Sequence, residues 1–210
     1  MLRILIADDH PVFRQGLKQI IAETPDMVVT EEATNGWEAL KKARAGCCDV
    51  VLLDISMPSK NGIDVLVQLK KEKPKLPVLM LSMHPEEQYA MRALKEGASG
   101  YLTKESAPDE LIQAIRKAST GGKYVSSFLA ERLASLVHMR GEELPHETLS
   151  AREYQVMCMI GSGKKVTEIA KEMSLSVKTI STYRSRVLEK MKMKNNAELT
   201  RYAINNSLIH

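Results

Sequence analysis

The chain has 210 residues, 44% hydrophobic and 27% charged, a balance that excludes extended disorder and leaves room for one large domain or two smaller ones. The net charge of +4 is uneven: residues 1–125 carry 17 basic and 17 acidic side chains, residues 126–147 carry 2 and 4, and residues 148–210 carry 11 and 5. The excess basic charge therefore belongs to the last third, which points to a polyanionic partner such as nucleic acid, or to a merely solvated basic surface. Cys47, Cys48 and Cys158 form neither a Cys-x-x-Cys pair nor a zinc pattern, which fits a reducing cytoplasm. The opening run, MLRILIADDH, has only a short apolar stretch broken by Arg3 and followed by two acids, so neither a signal peptide nor a membrane span is expected.

In chain order, short aliphatic runs alternate with amphipathic stretches. Strands are predicted at Leu2 to Ala7, Val28 to Thr30, Val50 to Leu53, Val78 to Ser82 and Gly100 to Leu102. The third and fourth are almost wholly apolar, as strands covered on both faces are. Helices are predicted at Pro11 to Ala22, Gly36 to Ala45, Ile63 to Lys71, Pro85 to Glu96 and Pro108 to Ser119, with Gly46, Gly97 and Gly121 as stops. This (βα)5 alternation implies an α/β fold, a doubly wound parallel sheet with its working site beyond the carboxyl ends of the strands.

At those ends stand Asp8 and Asp9 after the first strand, Asp54 after the third, Ser82 after the fourth and Lys104 after the fifth. Singly, each has an ordinary reading: Asp8 and Asp9 as turn or cap residues before Pro11, Asp54 as a turn acid before Met57-Pro58, Tyr101 as an edge-strand aromatic. Together they form a set. Converging carboxylates are normally held by a cation, and oxygen-only ligands favour Mg²⁺. An ionised Asp54 is then placed to accept a phosphoryl group, with Lys104 supplying positive charge, the Ser82 hydroxyl able to swing in, and Tyr101 able to fill the vacated space.

The segments ADDH, VVLLDISMP, LSMH and GYLTK resemble the acidic pair, phosphoacceptor, switch hydroxyl and lysine of response-regulator receiver domains, over residues 1 to about 121. The resemblance implies that Asp8, Asp9, Asp54 and the backbone carbonyl of Ser56 surround Mg²⁺. It also implies that the phosphoryl group comes from a partner histidine kinase or a small phosphodonor. Many receivers have proline after the lysine; Glu105 stands here, the form that looks like the NarL/FixJ branch.

After Gly121-Gly122 a helical stretch is predicted at Val125 to Met139, followed by a polar connector from Gly141 to Thr148. The expected domains are therefore 1–121, a linker at 122–147, and an all-α domain at 148–210. In the last third the helices expected are Ser150 to Ser162, Val166 to Met173, Val177 to Met191 and Asn196 to Asn206, with Ser150 and Glu153 as a capping box and Ser176 as a cap. The short turn Ser174-Leu175 suits a helix-turn-helix whose second helix enters the major groove.

Along that helix Val177, Ile180, Val187, Leu188 and Met191 form the apolar side. Ser181, Thr182 and Ser185 are expected to face bases, and Lys178, Thr179, Arg186 and Lys190 to meet the DNA backbone, as could Lys165 and Thr167. Arg184, within the apolar stripe, is expected to pair with Glu153 or Glu168. An ordinary surface helix of a small bundle is the plainer alternative. The run LSAREYQVMCMIGSGKKVTEIAKEMSLSVKTISTYRSRVLEKM resembles the LuxR-type helix-turn-helix, with Lys165-Val166 and Tyr183 departing from its usual residues. That resemblance implies a homodimer on two DNA half-sites, with Asn196 to Asn206 pairing between subunits. A Mg²⁺-dependent phosphohydrolase would use similar carboxylates, but would usually carry its nucleophile after the first strand, so no enzyme is expected.

Overall fold

The computed structural model describes residues 1–83, 86–126, 129–131, 144–206 and 208–209, and the chain divides into two compact units at residues 136 and 137. In the first unit the strands are β1 (Leu2–Ala7), β2 (Met27–Ala33), β3 (Val50–Asp54), β4 (Val78–Ser82) and β5 (Gly100–Thr103). The helices are α1 (Pro11–Ala22), α2 (Gly36–Arg44), α3 (Gly62–Glu72), α4 (Glu86–Lys95) and α5 (Pro108–Ser119). All pairings are parallel, in the order β2-β1-β3-β4-β5. The order reverses at β1 and β3, so the loops after these two strands diverge and leave a crevice at their carboxyl ends.

Side-chain alternation builds two cores. Ile4, Ile6, Val50, Leu52, Leu79, Leu81 and Leu102 cluster with Leu17 and Ile21 of α1 and Leu111, Ala114, Ile115 and Ala118 of α5. The intervening residues Leu5, Val51, Leu53 and Met80, all at 0% exposure, point to the other face, where α2, α3 and α4 supply Leu40, Leu66 and Ala93. β2 is longer than its apolar run predicts because Glu31 and Glu32 belong to it. As an edge strand it tolerates them, and Glu32 is answered by Lys18 (2.6 Å) and Arg14 (3.4 Å), Glu31 by Lys42 (3.2 Å). At the other edge Tyr124 bridges to Gly100 of β5, its amide donating to the Ser99 carbonyl at 2.7 Å. Ordered pairing thus extends past residue 121.

Of the helix expected at Val125 to Met139, residues 129–131 are helical, residues 125–126 are not, and residues 127–128 and 132–139 lie outside the described residues, as does Pro85. Among the described residues of the second unit the first element is a 3-10 turn (Pro145–Thr148), unforeseen from the sequence, where His146 Nδ1 meets the Tyr202 hydroxyl at 2.8 Å. Four helices follow: α6 (Ala151–Gly161), α7 (Val166–Glu172), α8 (Val177–Lys190) and α9 (Asn196–Asn205). Their caps are those expected. Ser150 Oγ accepts the Glu153 amide while Glu153 Oε2 accepts the Ser150 amide, and Ser176 Oγ accepts the Thr179 amide at 3.0 Å. Ser174 takes a left-handed φ of 53°, which turns the chain sharply from α7 into α8.

Candidate phosphoacceptor site and DNA-facing helix

Sheet register assembles the first site. Asp54 ends β3 beside Leu81 of β4, Ser82 lies opposite Thr103 of β5, and the Lys104 amide donates to the Ser82 carbonyl at 2.7 Å. The Lys104 ammonium then reaches Asp8 Oδ2 at 2.7 Å and Asp54 Oδ2 at 3.0 Å, with only 3% of its side chain exposed. Its nitrogen also lies 4.9 Å from the centre of the Phe13 ring. Asp8 and Asp54 are buried, and Asp9 is partly exposed. Burial pushes the Asp54 carboxyl above the usual carboxylate range; Lys104 opposes this and the neighbouring Asp8 adds to it.

The residues expected to converge do so for Asp8, Asp9, Asp54 and Lys104. Ser56 contacts Asp54 through its backbone amide, 3.2 Å from Oδ1. Ser82 is fully buried at the end of β4, and Tyr101 is buried on β5 at 1% exposure, so it points inward rather than lying as an exposed edge aromatic. Two features escaped the sequence. His10 joins the cluster, its Nδ1 3.0 Å from Asp9 Oδ1 and 3.3 Å from Asp8 Oδ1, because Pro11 holds residue 10 extended at the N-cap of α1. Gly62 passes so close to the Asp54 loop that a Cβ there would lie 2.0 Å from the Asp54 carbonyl oxygen. A glycine seven residues into a turn-rich stretch was the available signal.

Whether a divalent ion suits the pocket is answered by its donors. One ligand atom each from Asp8, Asp9, His10 and Asp54 lies within 4.8 Å of the others, and the buried Asp8 Oδ2 and Asp9 Oδ1 are withdrawn from water, the first facing the Lys104 ammonium at 2.7 Å and the second the His10 ring at 3.0 Å. Carboxylate oxygens in that state favour a hard cation.

On α8, Ile180, Val187 and Met191 are buried and Leu188 is half-buried, whereas Val177 is 48% exposed because the first residue of the helix projects beyond the core. Lys178, Ser181, Thr182, Ser185, Arg186 and Lys190 are exposed, as are Lys165 and Thr167 beside them, and Thr179 is half-buried. The three hydroxyls donate backwards to carbonyls one turn earlier: Ser181 to Val177 (2.9 Å), Thr182 to Lys178 (3.0 Å) and Ser185 to Ser181 (3.1 Å). Each hydroxyl oxygen keeps acceptor capacity on an exposed side chain.

Arg184 corrects the expectation made for it. Its Nε donates to Asn196 Oδ1 at 2.7 Å, tying α8 to α9, rather than to Glu153 or Glu168. Glu153 is taken by Lys190 at 2.6 Å, and Glu168 accepts the Lys165 amide at 2.8 Å at the start of α7. A lysine at the end of α8 reaches the capping glutamate of α6, so the nearer-seeming arginine is displaced.

A buried acidic pocket with an invading lysine on a 2-1-3-4-5 sheet, followed by a basic helix-turn-helix, defines a receiver joined to a DNA-binding domain. The family described as response regulator receiver domain matches residues 4–116, and that of bacterial regulatory proteins of the luxR family matches residues 147–203. The chain belongs to the NarL/FixJ-type response regulators. It is 36% identical over 209 residues to the response regulator UvrY of Escherichia coli K12, covering 99% of this chain and 96% of that one. It is 33% identical over 210 residues to the response regulator GacA of Pseudomonas aeruginosa PAO1, covering 100% and 98%. Among solved structures, RcsB of Salmonella enterica serovar Typhimurium, bound to promoter rprA with phosphomimetic BeF3⁻, is similar with a TM-score of 0.62 at 25% identity, covering 96% and 97%. These relatives are response regulators and the second matched family is one of bacterial regulatory proteins, not of enzymes, which sets the phosphohydrolase alternative aside.

Proposed function

We propose that the protein accepts a phosphoryl group on Asp54 from a partner histidine kinase or a small phosphodonor, and that this changes dimerisation or domain release and so DNA binding. The observation that carries the reading is the buried Asp54 carboxylate with Lys104 Nζ at 3.0 Å and the two further carboxylates beside it. Asp8, Asp9, Asp54 and the Ser56 carbonyl would hold Mg²⁺, which when bound neutralises phosphoryl charge. An Asp54 carboxylate oxygen forms the new P–O bond, and the bond from phosphorus to the donor's nitrogen or oxygen breaks, its electron pair leaving with the donor. Lys104 holds the ionised Asp54 before transfer and pairs with the added oxygens after it. Ser82 then bonds one of those oxygens and Tyr101 moves into the space it leaves, altering the face formed by α4 and α5.

In the second domain α8 enters the major groove. Ser181, Thr182 and Ser185 face bases, and Lys165, Thr167, Lys178, Thr179 and Arg186 face phosphates, as Lys190 would if it shares its charge between Glu153 and the backbone. The active form is a homodimer on two half-sites in the cytoplasm; among the described residues no helix is long and apolar enough to cross a membrane. The functional domains are taken as 1–121 and 148–210, joined by 122–147. The test is Mg²⁺-dependent phosphate uptake from acetyl phosphate, read by intact mass for wild type and Asp54→Ala, followed by DNA affinity at fixed salt. One adduct that vanishes in the variant and shifts DNA affinity supports the reading; no uptake with unchanged DNA binding refutes it.

A further inference from the structure

Three carboxylates alone would make the pocket a site for hard, oxygen-seeking ions. His10 changes its chemistry. The sequence Asp-Asp-His-Pro places an imidazole where the chain turns from β1 into α1, and three constraints fix it there. Pro11 restricts residue 10 to an extended backbone, observed at φ −86° and ψ 107°. The His10 amide donates to Asp8 Oδ1 at 2.8 Å. The Arg14 guanidinium bonds the Asp8 carbonyl at 2.8 Å, pinning the same turn from the other side.

With the backbone held, the ring turns Nδ1 into the acidic cluster: 3.0 Å from Asp9 Oδ1, 3.3 Å from Asp8 Oδ1 and 3.4 Å from Lys104 Nζ. The approach of the Lys104 ammonium marks this as the side of the ring that faces the cation position. All four donor atoms lie within 4.8 Å of one another. Ligands 2.0 to 2.4 Å from a common ion are separated by at most about 4 to 5 Å, so one ion can reach all four with small side-chain adjustments. Two of the carboxylate oxygens are buried against nitrogen: Asp8 Oδ2 faces the Lys104 ammonium at 2.7 Å, the place a bound ion would share or take over, and Asp9 Oδ1 faces the His10 ring at 3.0 Å. The remaining face of the ring is open, His10 being 59% exposed, so the pocket can admit an ion from solvent.

We propose that His10 is a nitrogen ligand of this pocket, and that it makes the site favour a first-row transition ion such as Co²⁺ over Mg²⁺. The inference rests on the reading that the pocket holds a divalent cation. Imidazole adds strongly to the affinity of Co²⁺, Ni²⁺ or Zn²⁺ and little to that of Mg²⁺, which prefers oxygen donors and retains its waters. The same receiver would thereby discriminate among the divalent ions supplied to it.

The test is calorimetric titration of the full chain with Mg²⁺ and separately with Co²⁺, together with the visible spectrum of bound Co²⁺. It uses wild type, His10→Ala, His10→Gln and Asp9→Asn. Wild type should bind Co²⁺ at least about tenfold more tightly than Mg²⁺. Both His10 variants should lose about tenfold in Co²⁺ affinity, alter the Co²⁺ spectrum and keep Mg²⁺ affinity within about twofold. Asp9→Asn should weaken both ions. Unchanged Co²⁺ binding in the His10 variants, or equal loss of both ions, overturns the ligand role while leaving the cation pocket standing. Co²⁺ binding that survives Asp9→Asn lies at another of the five histidines and overturns it as well. If neither ion binds wild type, the cation reading itself fails and this inference falls with it.

Discussion

Gly62→Ala is the most informative single change, because it probes the Asp54 loop without touching a charged group. The Gly62 amide donates to the Ile55 carbonyl at 2.9 Å, and an added Cβ would sit 2.0 Å from the Asp54 carbonyl oxygen, 2.9 Å from its carbon and 3.0 Å from Ile55 Cα. These are backbone atoms and cannot rotate aside. The loop must open by roughly 1 Å, an overpacking that costs about 3 kcal/mol, at the upper end for inserted methyl groups. Alanine returns about 1 kcal/mol by its better helix propensity at the first residue of α3, leaving a net loss of about 2 kcal/mol. With a urea m-value of about 2 kcal/mol/M the midpoint should fall by about 1 M. Trp37, the only tryptophan in the chain, reports this unfolding locally, since its ring stacks 4.7 Å from the Lys60 ammonium in the same loop. A displacement of about 1 Å at Asp54 should also slow phosphate uptake by about 10²-fold. A midpoint within about 0.2 M of wild type, with an unaltered uptake rate, would refute both the steric reasoning and the place given to Gly62.

Other outcomes follow from the second domain. Lys178→Ala should reduce the slope of log DNA affinity against log salt by about 1, read by anisotropy over a salt series. Lys190→Ala should instead lower the stability of residues 148–210 by about 1 kcal/mol, because it strips the half-exposed ammonium from Glu153; equal salt-slope losses in both variants would reverse that assignment. Burial of Glu153 works against its ionisation, but Lys190 and the Ser150 amide and hydroxyl outweigh this and hold its carboxyl below the usual range. Its contribution to stability is therefore complete above the ordinary carboxylate value near pH 4.3, and is lost as pH falls through the lower folded value. Thermal melts from neutral pH down to acid should show a steeper decline for wild type than for Glu153→Gln. Finally, Arg184→Ala and Asn196→Ala should be non-additive by about 0.5 to 1 kcal/mol in a double-mutant cycle, and strict additivity would remove the α8 to α9 tie.

The sequence by itself determined the alternation of strands and helices, because periodicity and capping are local. The apolar runs at Val50 and Val78, the stops at Gly46, Gly97 and Gly121, and the Ser150 and Ser176 caps all act within a few residues of themselves. It also determined which charged and hydroxyl groups stand at strand ends, since a parallel sheet leaves its strand termini on one edge, and hence the set Asp8, Asp9, Asp54, Ser82 and Lys104. What it could not decide was which long side chain reaches which partner. Arg184 and Lys190 compete for partners on different helices, and the choice of Asn196 for one and Glu153 for the other depends on how α6, α8 and α9 cross. The inclusion of Glu31 and Glu32 in β2, the inward turn of the His10 ring and the backbone crowding at Gly62 likewise arise from neighbours distant in sequence. Local rules act through bonds and one or two turns of chain, whereas these contacts exist only once the sheet and the bundle have brought separate segments together.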